Sequence, residues 1–255
     1  MALELVTIPC LADNYTYLIH DPDSGETAVV DVPEAAPILT ALSERGWTLS
    51  DIWLTHHHSD HIDGVPELRA ATGALVTGAA ADAHRLPPLD LALSEGGSFT
   101  IGRHAVHVID VSGHTVGHIA FHIPDAALAF TGDSLMSAGC GRLFEGTPAQ
   151  MWASLSKLAA LPPDTLICSG HEYTTSNIRF ALSLEPGNAD LISRSERVTK
   201  ARHAGRPTVP VRLSEELATN PFLRAPLPSL KSAIGLPDAT DAESFAEIRA
   251  RKDRF

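Results

Sequence analysis

The 255 residues are 44% hydrophobic with a formal net charge of −12, the make-up of a folded chain with one large domain or a medium one with an appendage. That acidity disfavours a nucleic-acid backbone or an anionic membrane as the main partner, and no uninterrupted apolar run approaches a membrane span. Cys10, Cys140 and Cys168 are odd in number and far apart, and the first ten residues lack the pattern of a signal peptide, so the expectation is a cytoplasmic protein with reduced thiols packed in its interior.

In chain order, residues 3–8, 15–20 and 27–32 read as strands, the first two joined by the polar turn Ala12-Asp13-Asn14. Ile38, Leu39 and Leu42 give residues 33–45 a helical spacing that Gly46 is placed to stop. Residues 51–54 form the next strand, which delivers Thr55-His56-His57-His58-Ser59-Asp60-His61 at its carboxyl end, the usual place for ligands in layered α/β proteins. A helix over 64–71 and a short strand over 74–77 follow, then an irregular stretch between Pro87-Pro88 and Gly96-Gly97. Hairpins are expected over 98–101 with 104–111 and over 118–123 with 127–130, then a helix over 151–161 and a last strand over 165–168. Beyond Tyr173 the spacing predicts helices over 176–184, 190–204, 214–218 and 241–252, linked by proline-rich segments, with no strand. The expected class is α+β, with residues 1–173 as the mixed domain and 174–255 as a helical one.

Four histidines and an aspartate within residues 56–61 exceed what an ordinary solvated loop holds. In extended backbone, residues two apart share a side, so His56 and His58 aim together and His57 aims away. Three later loops, each following an apolar strand, add His114, Asp133 and His171. Any one of these alone reads as a cap or loop polar group; together with the cluster they read as ligands. His56, His58 and His114 form one trio, Asp60, His61 and His171 a second, and Asp133 bridges. Two ions bridged this way lie about 3.5–4 Å apart and bring the pKa of bound water from 15.7 to about 7. With imidazole and carboxylate and no thiolate, the expected cofactors are two divalent ions, zinc foremost, with iron or manganese open. Asp31, at a strand end, either orients a ligand imidazole or caps.

The histidine cluster resembles the motif of the metallo-β-lactamase superfamily. The stretches Asp13-Asn14-Tyr15, Thr131-Gly132-Asp133-Ser134, Gly141-Arg142-Leu143-Phe144-Glu145-Gly146, Gly170-His171-Glu172-Tyr173, Asn220-Pro221-Phe222-Leu223-Arg224 and Arg249-Ala250-Arg251-Lys252-Asp253 are similar to the glyoxalase II (hydroxyacylglutathione hydrolase) family within it. The resemblance implies a four-layer αβ/βα sandwich with a C-terminal helical domain that binds glutathione. It implies hydrolysis of S-D-lactoylglutathione and related 2-hydroxyacylglutathiones to D-lactate and glutathione, the second step of methylglyoxal detoxification, by a monomer using a metal-bridging hydroxide that Asp60 orients. Substrate contacts would come from Arg142, Phe144, Tyr173, Arg249 and Lys252. Phe144 departs from a tyrosine common in the family and cannot supply its hydroxyl. The alternatives are another enzyme of the superfamily, such as a persulfide dioxygenase, and a metal-dependent binding protein without turnover.

Overall fold

In the computed structural model, which describes residues 2–255, the period-two runs form the expected strands. β1 (Glu4–Cys10), β2 (Asn14–His20) and β3 (Thr27–Val30) pair antiparallel in sequence. After α1 (Ala35–Arg45), which Gly46 ends in the left-handed conformation, β4 (Asp51–Trp53) joins β3 in parallel. The short helices α2 (Ser59–Ile62) and α3 (Val65–Thr72) lead to β5 (Leu75–Ala79), and β6 (Leu91–Leu93) closes the six-stranded sheet in parallel. Sequence reading missed β6, since three residues are too few to show a period. β7 (Ser98–Ile101), β8 (His104–Asp110), β9 (Ile119–Ile123) and β10 (Leu128–Gly132) then run antiparallel, as the two hairpins predicted.

Packing divides the chain into two compact units: Met1–Val111 with Val116–Gly132, and Ser112–Thr115 with Asp133–Phe255. In the first unit the pleat sends alternate residues to opposite faces. Leu18, Val29, Ile52 and Val76 pack with Ile38 and Leu42 of α1 and Val65 and Leu68 of α3. Tyr17 and Trp53 turn the other way and meet Phe99, Phe121 and Phe130, with ring centroids 5.0–6.5 Å apart. Two sheets thus face each other across an aromatic interior. The parallel order β3-β4-β5 brings the loops after β3 and β4 side by side, Asp31 N–H donating to Trp53 O at 2.9 Å.

The second unit holds a short antiparallel hairpin, β11 (Leu135–Met136) with β12 (Gly139–Cys140). Helix α4 (Pro148–Ala159) starts at a Thr147/Gln150 capping box, and the pair β13 (Leu166–Ser169) with β14 (Val211–Arg212) follows. Its helices are α5 (Thr174–Leu184), α6 (Ala189–His203), α7 (Leu213–Thr219), α8 (Pro228–Ala233) and α9 (Asp241–Arg254). β14 corrects the expectation that no strand lies beyond Tyr173: two residues pair with β13 because Thr165 O accepts from the Leu213 N–H next to them. The compositional break at Tyr173 marks where strands give way to helices, while packing groups residues 133–173 with the helices that follow. Phe180 stacks on Phe222, which meets Phe245 edge to face in that helical core, and Trp152 of α4 reaches Phe245.

Candidate metal centre and substrate cleft

In the first unit the loop after β3 fixes the loop after β4. Asp31 is buried at φ 59°, a left-handed conformation that its short polar side chain tolerates. Its Oδ1 accepts the Thr55 N–H and its Oδ2 the Thr55 hydroxyl, both at 2.8 Å, and Oδ2 also accepts from His61 Nδ1 at 2.8 Å. A carboxylate only accepts, so His61 carries its proton on Nδ1 and presents Nε2 as a lone pair. Thr55 spends its hydroxyl hydrogen on Asp31, which leaves its oxygen to accept from His56 Nδ1 at 3.0 Å; His56 too presents Nε2. Asp31 therefore orients imidazoles, one of the two roles its position allowed.

His56 Nε2 lies 3.2 Å from His58 Nδ1, and His61 Nε2 lies 3.8 Å from Asp60 Oδ2. Adjacent ligand atoms on one tetrahedral ion with bonds of about 2.0–2.1 Å stand about 3.3–3.4 Å apart, close to the first of these. Asn14 donates through Nδ2 to both the carbonyl and Oδ2 of Asp60 (3.0 and 3.1 Å), fixing that carboxylate. His57 behaves as the alternation predicts: its Nδ1 is bound 2.9 Å from buried Asp82, which also pairs with Arg85. His118 is fully buried and stacks on His56 with centroids 4.6 Å apart. Gly132, at φ 48°, is required: a Cβ there would meet Thr55 Oγ1 at 2.5 Å and His118 Cε1 at 2.9 Å.

In the second unit His114, Asp133 and His171 are brought together, each buried. Asp133 Oδ2 lies 3.6 Å from His114 Nε2 and 3.3 Å from His171 Nε2. The His114 Nδ1–H donates to the Arg142 carbonyl at 2.8 Å, so its Nε2 is a lone pair facing a carboxylate oxygen. Acceptor against acceptor is repulsive, and 3.6 Å is too long for a hydrogen bond were the ring protonated. A cation held by both removes the conflict. The donor chemistry of each cluster thus fits divalent metal binding.

The same unit contains a cleft of 410 Å³ whose walls include His114, Asp133, Arg142, Tyr173, Arg249 and Lys252. Tyr173 stacks on His171 at 4.8 Å with rings nearly parallel, and Phe144, 62% exposed, makes an edge contact with the His114 ring, centroids 5.2 Å apart. Arg142 is exposed. Lys252 is half-buried, donates to Ser176 O at 3.3 Å and lies over the Phe180 and Phe255 rings. Burial, reinforced by Arg249, Arg179 and Arg142, pushes its ammonium down to about 8. Arg249, expected among the substrate contacts, is a buried residue of α9. It is 4% exposed, lies over Phe222, and donates to Cys140 O at 3.0 Å and Asp253 at 2.8 Å, so much of its fork is already occupied. The thiols are buried packing residues; desolvation lifts Cys10 to about 12 and Cys140 to about 11, far from a nucleophilic thiolate.

Sequence reasoning missed Thr55, Asp82 and the buried Arg194, Glu216, Asn177 and Asn220. No local spacing marks them; each acquires its role from a partner at least 22 residues away.

Fold and clusters together define the metallo-β-lactamase superfamily, whose family model matches residues 13–171. The fold is shared with the crystal structure of the BLEG-1 B3 metallo-β-lactamase (TM-score 0.67, 23% identity, 86% of this chain and 99% of that one). It is also shared with TTHA1623 in a di-iron-bound form (TM-score 0.56, 29% identity, 66% and 91%). Residues 172–255 match the model described as hydroxyacylglutathione hydrolase C-terminus. The hydroxyacylglutathione hydrolase of Fuscovulum blasticum is similar over the full length of both chains, with 69% identity over 255 residues. This chain belongs to the hydroxyacylglutathione hydrolase family.

Proposed function

We propose that this protein hydrolyses S-D-lactoylglutathione and related 2-hydroxyacylglutathiones to the hydroxy acid and glutathione, acting as the second step of methylglyoxal detoxification. The observation that carries the reading is the cleft, where candidate ligands His114 and Asp133 share walls with Arg142, Tyr173 and Lys252. In a protein of net charge −12, cations gathered on one cleft suit a substrate with two carboxylates.

His56, His58 and His114 would hold one divalent ion and Asp60, His61 and His171 a second, with Asp133 shared between them. Zinc is the first choice for this donor set; the di-iron form of TTHA1623 supports iron as the runner-up. When bound, such a pair supplies a water nucleophile at neutral pH and a charge to polarise the thioester carbonyl. The residues do the rest. Asp31 and Thr55 keep the His61 and His56 lone pairs on Nε2, and the Arg142 carbonyl does the same for His114. Asp60, steadied by Asn14, orients the attacking water. Lys252 and Arg142 anchor glutathione carboxylates, Arg142 being able to bind one bidentately. Arg249 acts from beneath, supplying charge and holding the Cys140 carbonyl. No general acid is needed, because a thiol of pKa near 8.5 departs as thiolate.

The reading gives residues 1–173 all seven metal ligands and 174–255 the glutathione-binding helices, a division that the family models matching 13–171 and 172–255 support. Among the described residues no helix is long and apolar enough to cross a membrane. The three unpaired cysteines support a cytoplasmic, reducing setting, and the reading takes the protein as a monomer. The test is thioester hydrolysis by the purified protein, with elemental analysis before and after chelation. Activity that disappears with the metal and returns on reloading is expected. Folded, metal-loaded protein that turns over no glutathione thioester would overturn the proposal.

A further inference from the structure

Between Asp133 and Arg142 the chain makes the β11–β12 hairpin, whose turn at Ser137-Ala138 is gripped by buried polar side chains. Glu216 accepts the Ala138 N–H on both oxygens, at 3.1 and 2.9 Å. Arg194 pairs with Glu216 and donates to Ser137 Oγ at 2.8 Å. Asn177 donates to Ser137 O at 3.0 Å, and Asn220 to Gly139 O and Met136 O at 2.9 and 3.2 Å. Ala138 sits at φ 54°, a conformation that costs energy for a residue with a Cβ. Arg194 and Glu216 are 2% and 0% exposed. Burying such a pair is a poor route to stability, since well-packed apolar side chains commonly serve as well or better. The pair calls for another explanation.

The far end of the hairpin supplies it. The Gly141 N–H donates to Ser134 O at 3.2 Å. A Cβ on Gly141 would lie 2.1 Å from Asp133 O and 2.8 Å from His114 Nδ1, so the strand leaves the hairpin directly over both candidate ligands. One residue on, the Arg142 carbonyl fixes the His114 tautomer. A shift of the turn would be passed along two short paired strands to these contacts.

We infer that the Arg194–Glu216 pair, buried among α6, α7 and the Ser137-Ala138 turn, is a positioning device for metal binding, setting through the hairpin where the Arg142 carbonyl and Asp133 stand. The inference rests on the metal-hydrolase reading above. It is tested by replacing both members, Arg194→Met with Glu216→Leu, and reading three quantities. These are metal affinity by chelator competition, the melting temperature of the metal-free protein, and the rate at which Cys140 in metal-free protein reacts with a thiol reagent, located by mass spectrometry. The expected result is a variant that still folds, with a melting temperature lowered by the stranded Ala138 N–H, metal held about ten- to a hundredfold more weakly, and faster labelling of Cys140. Parental metal affinity and parental Cys140 labelling would overturn the inference. Should the double variant not fold, Glu216→Gln, which keeps the shape and one acceptor, is read in the same way. Parent protein that binds metal but hydrolyses no glutathione thioester would sink the substrate reading, while the affinity comparison still decides this one.

Discussion

Asp31→Asn is the most searching single change, because it alters one atom and leaves the backbone as it is; asparagine accepts the left-handed conformation at φ 59°. The aspartate takes three donors: the Thr55 N–H on Oδ1, and the Thr55 hydroxyl and His61 Nδ1 on Oδ2. An amide offers one oxygen and one NH2. If the oxygen stays on the Thr55 N–H, the NH2 faces His61 Nδ1, which must then accept; the proton moves to Nε2 and the lone pair meant for a metal is lost. If the amide turns over, its NH2 meets the Thr55 N–H and a buried backbone donor is stranded, at a cost of about 1–3 kcal/mol. The first arrangement leaves the backbone bond intact and is the one expected, so metal binding weakens by about 10–100-fold, equivalent to about 1.4–2.7 kcal/mol; the second would show as a lowered melting temperature instead. Chelator competition on parent and variant measures this directly, and circular dichroism of the metal-free forms checks that the variant folds. A folded Asp31→Asn protein with parental metal affinity would refute the tautomer argument and leave Asp31 a loop cap.

His58→Ala is expected to lower metal content and activity together, whereas His57→Ala keeps both, because Arg85 still pairs with the Asp82 carboxylate that His57 leaves; elemental analysis beside turnover separates them, and equal losses would mean the cluster faces otherwise. Lys252, with its ammonium near 8, loses charge as pH rises through that value, so KM for a glutathione thioester should climb above pH 8 with kcat little changed, and Lys252→Arg should flatten the profile; a flat parental profile removes Lys252 from binding. The same shift carries a stability sign. The folded value lies below the ordinary 10.5, so the unfolded chain binds more protons between about 8 and 10.5, and this lysine's penalty on folding fades as pH rises through that window. Lys252→Ala should raise KM without lowering the melting temperature, while Arg249→Ala should raise KM and also lower the melting temperature, since it strips a buried partner from the Cys140 carbonyl. Arg249→Ala with an unchanged melting temperature would return Arg249 to a purely substrate-facing role.

Local order was legible along the chain wherever a period or a punctuating residue speaks for a whole segment. β2, β4, β8 and β9 lie where the sequence placed strands, β4 by its apolar run, α1 ends at Gly46, and the histidine cluster follows β4 as read. The facing of that cluster was legible too, since backbone pleat alone separates His57 from its neighbours. The short strands β6 and β14 were not, because without a β-branched and aromatic run such as Ile52-Trp53-Leu54 pairing rather than propensity makes so short a strand. What no spacing could supply was the identity of the supporting side chains. Asp31 could be read as an orienter or a cap, and only the parallel pairing of β3 with β4 decides it by laying Thr55 and His61 against it, while Asn14, at the start of β2, meets Asp60 only in the folded sheet. Arg249 reads as a solvated helix charge until packing buries it against Phe222 and Cys140. Arg194 and Glu216 are unremarkable members of charged helices until folding removes both from water, where each can persist only because the other is there. The amino-acid order thus declares which groups can bind a metal; which nitrogen of each imidazole is offered is a matter of hydrogen-bond partners distant in the chain, and only the tertiary structure chooses those.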